Sequence, residues 1–165
     1  MTSAAAPIEV LIADYRNAAH AAALVDLLDA YASDPAGGGK PLDATVRESL
    51  PAELAARPQA FSVLAYEGDQ PVGLVNCIEG FSTFAARPLV NVHDVVVLPS
   101  HRGKRVAQRM FALVEQEARR RGACKLTLEV LSGNAPALRA YEREGFAGYQ
   151  LDPAFGTAVF LQKKL

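Results

Sequence analysis

Apolar positions along the chain alternate in some segments and recur at helical spacing in others. Spacing of three and four positions favours a helix, whereas β-branched runs and period-two alternation favour strands. The predicted strands are Ile8–Tyr15, Phe61–Tyr66, Val72–Ile78, Leu89–Leu98, Cys124–Leu131, Ala147–Leu151 and Thr157–Lys163. The predicted helices are Ala18–Tyr31, Asp43–Ala56, Lys104–Arg121 and a last one between Asn134 and Gly145. This order predicts a mixed α/β fold, with a central sheet of about seven strands and about four helices.

Local signals mark the ends of these elements and the extent of the domain. The glycines at 37–39 predict a mobile connection after the first helix, and Asn134 is placed to cap the last one. The run Val95–Leu98 indicates a central strand with both faces covered. No linker rich in Pro, Gly or Ser divides the chain. We therefore expect one domain over 7–165, preceded by a short disordered tail at 1–6.

Composition narrows the class of protein. Half of the 165 residues are apolar and 21% are charged, as in an ordinary folded domain. Seventeen basic against 18 acidic side chains leave a charge of −1, which gives no reason to expect nucleic acid or a membrane as partner. Cys77 and Cys124 are too few for a disulfide framework and lack zinc-site spacing, so no metal is expected. Without a secretory or membrane-spanning pattern, the default expectation is a cytoplasmic protein.

The segment after Val95–Val97 has the chemistry of an anion site. It is a short turn that opens a long helix, whose first amides lack carbonyl partners and carry the positive end of the dipole. Arg102, Lys104 and Arg105 add three cations there, and Gly103 allows close approach of the backbone. A solvated basic loop is the alternative. Because cations are unfavourable at a helix start, three of them favour a bound phosphate.

Two motifs resemble those of the GNAT family of N-acetyltransferases. Arg102–Ala107 is similar to the acetyl-CoA signature [QR]-x-x-G-x-[GA], with Arg105 where the middle glycine usually stands. The later motif N-x-x-A-x-x-x-Y-x-x-x-G-F is matched by Asn134, Ala137, Tyr141, Gly145 and Phe146. The element order also agrees over most of the chain. The resemblance implies the GNAT fold and an enzyme that uses acetyl-CoA as the acetyl donor.

The resemblance also implies which residues hold the cofactor. Main-chain groups of Val95, Val96 and Val97 would pair with the pantetheine arm, and an amide near Val97 would polarise the thioester carbonyl. The phosphate-binding residues would be Arg102, Gly103, Lys104, Arg105, Val106 and Ala107. Asn134 would cap its helix, touch the cofactor, or do both. We expect the side chain of Arg105 to point outward, towards the 3′-phosphate.

The implied reaction is direct attack of an amine on the thioester in a ternary complex. The leaving thiolate benefits from an acid, and Tyr141 fills the tyrosine position of the family motif. The alternative for Tyr141 is a tyrosine packed in the core. Homodimers are frequent in the family, so a homodimer is an expected assembly.

A base is needed because only roughly one lysine-like amine in 10³ is neutral at pH 7. Asn91 and His93 share one face of their strand, and of the two only His93 can accept a proton. Asp94 faces the other way in a regular strand. Glu129 on the next strand and a water are alternatives to His93, which could equally be a buried, neutral histidine.

The acceptor amine is less defined by the sequence. In this fold the acceptor cleft is formed by the connection at 33–40 and the loop at 80–88. Asp34 could attract an ammonium, and Phe81 and Phe84 could line an apolar wall. These loops favour a small-molecule amine. Two other functions stay open, a catalytically silent acyl-CoA-binding domain and a nucleotide-binding module.

Overall fold

The computed structural model describes residues 6–149 and 151–165. Its strands are β1 (Ile8–Ile12), β2 (Ala60–Glu67), β3 (Gln70–Ser82), β4 (Arg87–Val97) and β5 (Leu126–Leu128). Its α-helices are α1 (Ala18–Ser33), α2 (Ala44–Ala55), α3 (Val106–Arg120) and α4 (Ala135–Arg143). Residue contacts divide the chain into two compact units, one up to Leu128 and one from Glu129 onward. The single domain over 7–165 stays a prediction, and residues 1–5 of the predicted tail lie outside the described residues.

The first unit is built on one sheet with the strand order β1-β2-β3-β4-β5. The first four strands pair antiparallel, and β5 pairs parallel to β4. The predicted mixed α/β class is therefore confirmed. The sheet has five strands instead of about seven. The strand predicted at Cys124–Leu131 is also shorter than expected, since its ladder with β4 covers only three residue pairs.

The two strands predicted near the end of the chain are not found. The described part of Ala147–Leu151 forms no strand, and Gln150 lies outside the described residues. Thr157–Lys163 also forms none. Exposed side chains in this second segment include Val159, Phe160 and Leu161. Alternation favours a strand only where a neighbouring strand completes the ladder, and no ladder in the described part of the chain includes these residues.

One face of the sheet is covered by α1. The side chain of Asn17 caps this helix by accepting hydrogen bonds from the Ala19 and His20 amides. The helix contributes Leu24 and Leu27 to a core cluster on this side. The strands contribute Leu64, Leu74 and Val96. Both α1 and α2 begin and end within about two residues of their predicted bounds. No helix among the described residues is long and apolar enough to cross a membrane.

The other face of the sheet is covered by α3. Gly73 and Leu74 are neighbours in β3 and point to opposite faces. Leu74 belongs to the core under α1, whereas a Cβ placed on Gly73 would lie 2.9 Å from Cε of Met110 in α3. The absence of a side chain at Gly73 therefore lets α3 pack close to the sheet.

Two predicted connections are shorter or more structured than the sequence indicated. The glycine-rich segment after α1 folds into a single 3-10 turn at Pro35–Gly37. The carboxylate of Asp34 accepts a hydrogen bond from the Ala36 amide, 2.8 Å away, and fixes this turn. The loop predicted at 80–88 is largely paired, because β3 continues to Ser82 and β4 begins at Arg87. The β3–β4 ladder includes apolar residues near the end of the hairpin, so that only residues 83–86 form the turn.

Candidate active site

The C-terminal half of β4 has an edge that β5 does not pair. The β4–β5 ladder runs only from Val90 to Val92, whereas β4 itself continues to Val97. On its other side β4 stays paired with β3 up to Val97. Main-chain groups on an unpaired edge can form a ladder with an extended ligand. Val95–Val97 therefore present hydrogen-bonding groups of the kind a pantetheine arm requires.

After this edge the chain makes a turn with two left-handed residues. Gly103 has φ of 78° and Arg105 has φ of 61°. Arg105 is the N-cap of α3, and its side chain forms no capping hydrogen bond. The Arg102 guanidinium donates from Nε to the Val97 carbonyl, 3.3 Å away, and thus lies back over the end of β4. The turn presents cationic side chains at the positive end of the α3 dipole.

The turn has room for an anionic group. A Cβ placed on Gly103 would meet no atom within 4 Å, so the main chain is open to a close ligand there. Arg102, Lys104 and Arg105 are exposed around it. These features fit the pyrophosphate of a coenzyme A ester. Among the described residues there is no group of three or more His, Cys, Asp or Glu side chains that could hold a metal ion.

A buried histidine fixes the turn from below, which sequence reasoning missed. His101 is only 4% exposed, and its Nε2 lies 2.9 Å from Oε2 of Glu67 at the end of β2. Its Nδ1 lies 2.8 Å from Oγ of Ser100. The hydrogen bond with His101 lowers the pKa of Glu67, and the nearby charge of Lys104 lowers it further. In the sequence His101 stands beside a basic turn, and nothing there distinguishes it from an exposed residue of that turn.

A bulge in β4 changes the direction of its polar side chains. Asn76 of β3 pairs with Asp94, whereas the next residue, Cys77, pairs with Val92, so that His93 is the extra residue. A bulge reverses the alternation that follows it. Asp94 therefore lies on the α1 face together with Val96, and its expected position on the opposite face is wrong. Period-two reasoning had no means of placing this irregularity.

The polar contacts of Asn91 indicate which ring nitrogen of a neutral His93 carries the proton. Asn91 Nδ2 donates to Oγ1 of Thr127, 2.9 Å away, which leaves Oδ1 as the acceptor for Nδ1 of His93. A neutral imidazole that donates from Nδ1 carries its lone pair on Nε2. His93 is exposed, so the alternative of a buried histidine does not hold. Asn91 thus orients the imidazole that the sequence had singled out.

Behind Asp94, a chain of polar side chains crosses the sheet. Asn76 donates to the Asp94 carboxylate at 3.0 Å, Ser62 donates to Asn76 at 2.6 Å, and Tyr15 lies 2.9 Å from Ser62. Burial raises the pKa of Tyr15, and the hydrogen bond with Ser62 lowers it in part. Sequence reasoning did not single out these residues. The available signal was a polar residue at an inward position in each of two apolar strands.

The candidates Glu129, Asn134 and Tyr141 belong to the second unit. Asn134 caps α4, as its side-chain oxygen accepts a hydrogen bond from the Ala137 amide at 3.2 Å. Tyr141 lies in the last turns of α4, and its ring makes an edge contact with Phe146, with centroids 6.0 Å apart. Both residues of this contact belong to the later motif. The roles of these side chains in chemistry stay predictions.

The three predicted acceptor-binding residues do not lie together. Asp34 ends α1 and lies near the hydroxyl of Tyr31, whose pKa is raised by burial and then by Asp94 and Asp34. Phe81 pairs with Pro88 near the hairpin turn, and Phe84 lies in that turn; both are largely exposed. Pro88 and Asp94 are six positions apart in β4, roughly 20 Å along the strand. Asp34 therefore shares a region with Asp94 and not with the two phenylalanines.

Comparison with known proteins identifies the family. The model of the acetyltransferase (GNAT) family matches residues 21–146. The chain belongs to the GNAT family. The turn at Arg102–Ala107 and the motif at Asn134–Phe146 both lie within the matched part. In this GNAT chain Arg105 has a left-handed backbone conformation. Glycine adopts this conformation without strain, which explains why the family signature usually has glycine at this position.

Two relatives of known function are similar to parts of this GNAT chain. Streptothricin acetyltransferase of Streptomyces lavendulae is 45% identical over 71 residues, 42% of this chain and 38% of that protein. Aminoalkylphosphonate N-acetyltransferase of Salmonella typhimurium (strain LT2) is 30% identical over 89 residues, 54% of this chain and 58% of that protein. The matches thus span less than two thirds of either relative.

A solved structure supports the fold. That of AAC(6')-Iy in complex with the bisubstrate analog CoA-S-monomethyl-acetylneamine matches with a TM-score of 0.78 at 15% identity. The match covers 97% of this chain and 100% of that chain. At this identity the likeness shows that the two chains share the GNAT fold.

Proposed function

We propose that the protein is an acetyl-CoA-dependent N-acetyltransferase that acts on a primary amine of a small molecule. The observation that carries the proposal is the open edge of β4, continuing into a basic turn at the N-terminus of α3. Val95–Val97 would pair with the pantetheine arm, and a fixed amide near Val97 would stabilise charge developing on the thioester oxygen. Residues 102–107 would bind the phosphates through amides and cations, with Asn134 as a further contact.

Direct attack of the amine within a ternary complex is the proposed mechanism. The alternative, an acyl-enzyme intermediate, needs a nucleophile such as a thiolate. Cys77 is buried, and burial raises its pKa to about 12, so this thiol is a poor nucleophile at neutral pH. That property supports transfer straight from the thioester to the amine.

We assign the role of base to His93 and that of acid to Tyr141. The contact with Asn91 leaves the lone pair of His93 on Nε2, where it can accept a proton from the ammonium of the acceptor. The neutral nitrogen attacks the thioester carbonyl, and the C–S bond breaks so that the coenzyme A thiolate departs. The nitrogen loses its second proton as the amide forms, and this proton balances the one that the thiolate takes up. Tyr141 would protonate that thiolate, an assignment that rests on the family motif. Glu129 or a water is the alternative base.

The class of acceptor is inferred from the relatives together with the loops of this chain. The relatives carry names of small-molecule acetyltransferases, one for streptothricin and one for aminoalkylphosphonates. Asp34 is proposed to contact the acceptor, as are Phe81 and Phe84 for an acceptor that extends along the hairpin. Location in the cytoplasm and assembly as a homodimer remain part of the proposal.

The test is release of coenzyme A thiol from acetyl-CoA in the presence of separate amine classes. The panel comprises amino acids, polyamines, aminoglycosides, arylalkylamines and peptide N-termini. We expect turnover with one small-molecule class. Binding of acetyl-CoA to folded protein without turnover on any class would contradict the proposal and support a silent acyl-CoA-binding domain.

A further inference from the structure

The polar chain behind β4 has one direction. Ser62 has a single hydroxyl proton and donates it to Asn76, so the bond between Tyr15 and Ser62 is donated by Tyr15. The Asn76 amide donates to Asp94, which as a carboxylate only accepts. Every group in the chain therefore donates towards Asp94, whose carboxylate is the last acceptor of the chain.

The inner members of this chain are buried polar side chains. Ser62 is 0% exposed and Asn76 is 7% exposed, both within buried and largely apolar stretches of their strands. Polar groups in such positions destabilise the fold unless each is hydrogen-bonded. Here each has a partner, and the partners end at one half-buried carboxylate. The chain thus fixes the position of Asp94 from within the core.

The front of Asp94 faces the region where the acceptor would react. The bulge at His93 places Asp94 on the α1 face, directly next to the proposed base and one residue before the Val95–Val97 edge. Among the described residues Asp94 has no cationic partner. Asp34 adds a second negative charge on this side, since burial raises the pKa of Tyr31 and both Asp94 and Asp34 raise it further. A fixed carboxylate beside a base suits a substrate that arrives as an ammonium ion.

We infer that Asp94 binds the ammonium group of the acceptor beside His93 and selects cationic amines over amines that also carry an anionic group. Tyr15, Ser62 and Asn76 are positioning residues that act through Asp94. The inference rests on the proposed function and names its substrate class. The ammonium would transfer one proton to Nε2 of His93, and the resulting neutral amine would attack the thioester carbonyl beside Asp94, with the coenzyme A thiolate as the leaving group.

Two amines of equal chain length test this selection, 1,5-diaminopentane and 5-aminopentanoate. Their binding to protein saturated with coenzyme A is measured by calorimetry, and their acetylation is measured kinetically. The wild-type protein is expected to prefer the diamine at least about tenfold, because the carboxylate of the other amine is repelled. Asp94→Asn should weaken diamine binding about tenfold and remove the preference, with the acetyl-CoA Kd unchanged.

The control is Asp26→Asn, which removes an exposed carboxylate that pairs with Arg47 and lies outside the proposed site. It should leave both amines unaffected. The inference is overturned if Asp94→Asn weakens the two amines equally, or if the preference for the diamine survives. If the diamine binds through Asp94 but no acetyl transfer occurs, the proposed function fails while the binding inference stands.

The positioning role has its own test in Tyr15→Phe, which keeps the ring and removes the first donor of the chain. We expect KM for the diamine to rise about threefold, whereas kcat, the acetyl-CoA Kd and the thermal midpoint change little. Equal changes in the kinetics of both amines, or a change in acetyl-CoA binding, would show a merely structural role and contradict the assignment.

Discussion

At the scale of single residues, Arg105 is proposed to bind phosphate and has a backbone conformation that residues with side chains avoid. Its φ of 61° lies in the left-handed region, where a residue with a Cβ is less stable by about 1–2 kcal/mol. Glycine would adopt this conformation without that cost. The cation is thus present at the helix start despite backbone strain, which fits a residue that contacts an anion.

Arg105→Gly should therefore make the unliganded protein more stable. Removing strain contributes about 1–2 kcal/mol, and the added freedom of the unfolded chain offsets about 0.4–1 kcal/mol of it. We expect a net gain of up to about 1.6 kcal/mol in chemical denaturation. Binding of acetyl-CoA should weaken, and 3′-dephospho-acetyl-CoA should be affected less.

Ala86→Gly is the matched control, because Ala86 has a φ of 50° in the β3–β4 turn and lies away from the basic turn at residues 102–107. It should raise stability without changing acetyl-CoA affinity. Tighter binding of acetyl-CoA by Arg105→Gly would show that the arginine crowds the cofactor.

His93→Gln should remove the acidic limb of the pH–rate profile. An imidazole loses its capacity as a base once it is protonated, so the wild-type rate should fall towards acidic pH. The variant should lose about 10²–10⁴ in kcat, the usual range for an acid–base group. Asn91→Ala, which releases the imidazole and also removes the contact with Thr127 but keeps the base, should lose less. An acidic limb that persists in His93→Gln would transfer the role to Glu129 or a water.

Tyr141→Phe should lower kcat by about 10², near the lower end of the acid–base range. The effect is small because a thiolate leaves well without a proton. The measurement is single-turnover acetyl transfer, which isolates the chemical step. The edge contact with Phe146 is kept by the phenylalanine ring. An unchanged single-turnover rate would exclude Tyr141 as the acid.

At the scale of elements, the sequence predicted the strands better than their irregularities. The β-branched run of β4 indicated a central strand, and α3 was evident from its apolar face. The bulge at His93 arises from how β3 and β4 pair, and no residue pattern within β4 alone marks it. The sequence also did not predict that Asn91 orients His93, because the contacts of Asn91 depend on the neighbouring β5 and on the bulge.

The turn before α3 depends on a contact between distant elements, Glu67 on β2 and His101. The His101 hydrogen bond keeps the pKa of Glu67 below its usual range, so Glu67 contributes stability above that range. This contribution is lost as pH falls towards the lowered pKa. Glu67→Gln should therefore be less stable than wild type at pH 7 in urea denaturation, with the difference shrinking below about pH 4.5.

The same variant should weaken acetyl-CoA binding at neutral pH, because the turn loses its anchor to β2. Glu53→Gln serves as control, since Glu53 forms only an exposed ion pair with Arg57. A stability difference between Glu67→Gln and wild type that stays constant from pH 7 to pH 3 would contradict the role of this carboxylate.

At the scale of the whole molecule, some features depend on residues that are neighbours in the sequence, and others depend on residues that are far apart. Capping by Asn134 and the bounds of α1 and α2 follow from neighbouring residues, and the structure agrees with them. The two closing strands that the sequence predicted are not found in the described part of the chain, and the polar chain behind Asp94 joins residues far apart in sequence. Ser62 and Asn76 are 14 positions apart and meet only because the β2–β3 hairpin sets their register. Local patterns therefore indicated the family and the turn, whereas the surroundings of Asp94 depend on tertiary pairing.

Cofactor binding should be visible as a change in stability of the whole protein. A ligand at 100 times its Kd that binds only the folded state adds about 2.7 kcal/mol to the unfolding free energy. For a chain of this size that corresponds to a rise of about 5–10 °C in Tm. We expect this rise with acetyl-CoA and with coenzyme A in differential scanning calorimetry, and a much smaller rise with ATP at equal concentration. The unpaired edge of β4 fits a pantetheine arm, which ATP lacks. If ATP stabilised the protein equally and coenzyme A failed to compete with it, the turn would be a general nucleotide site and the acetyltransferase assignment would lose its structural support.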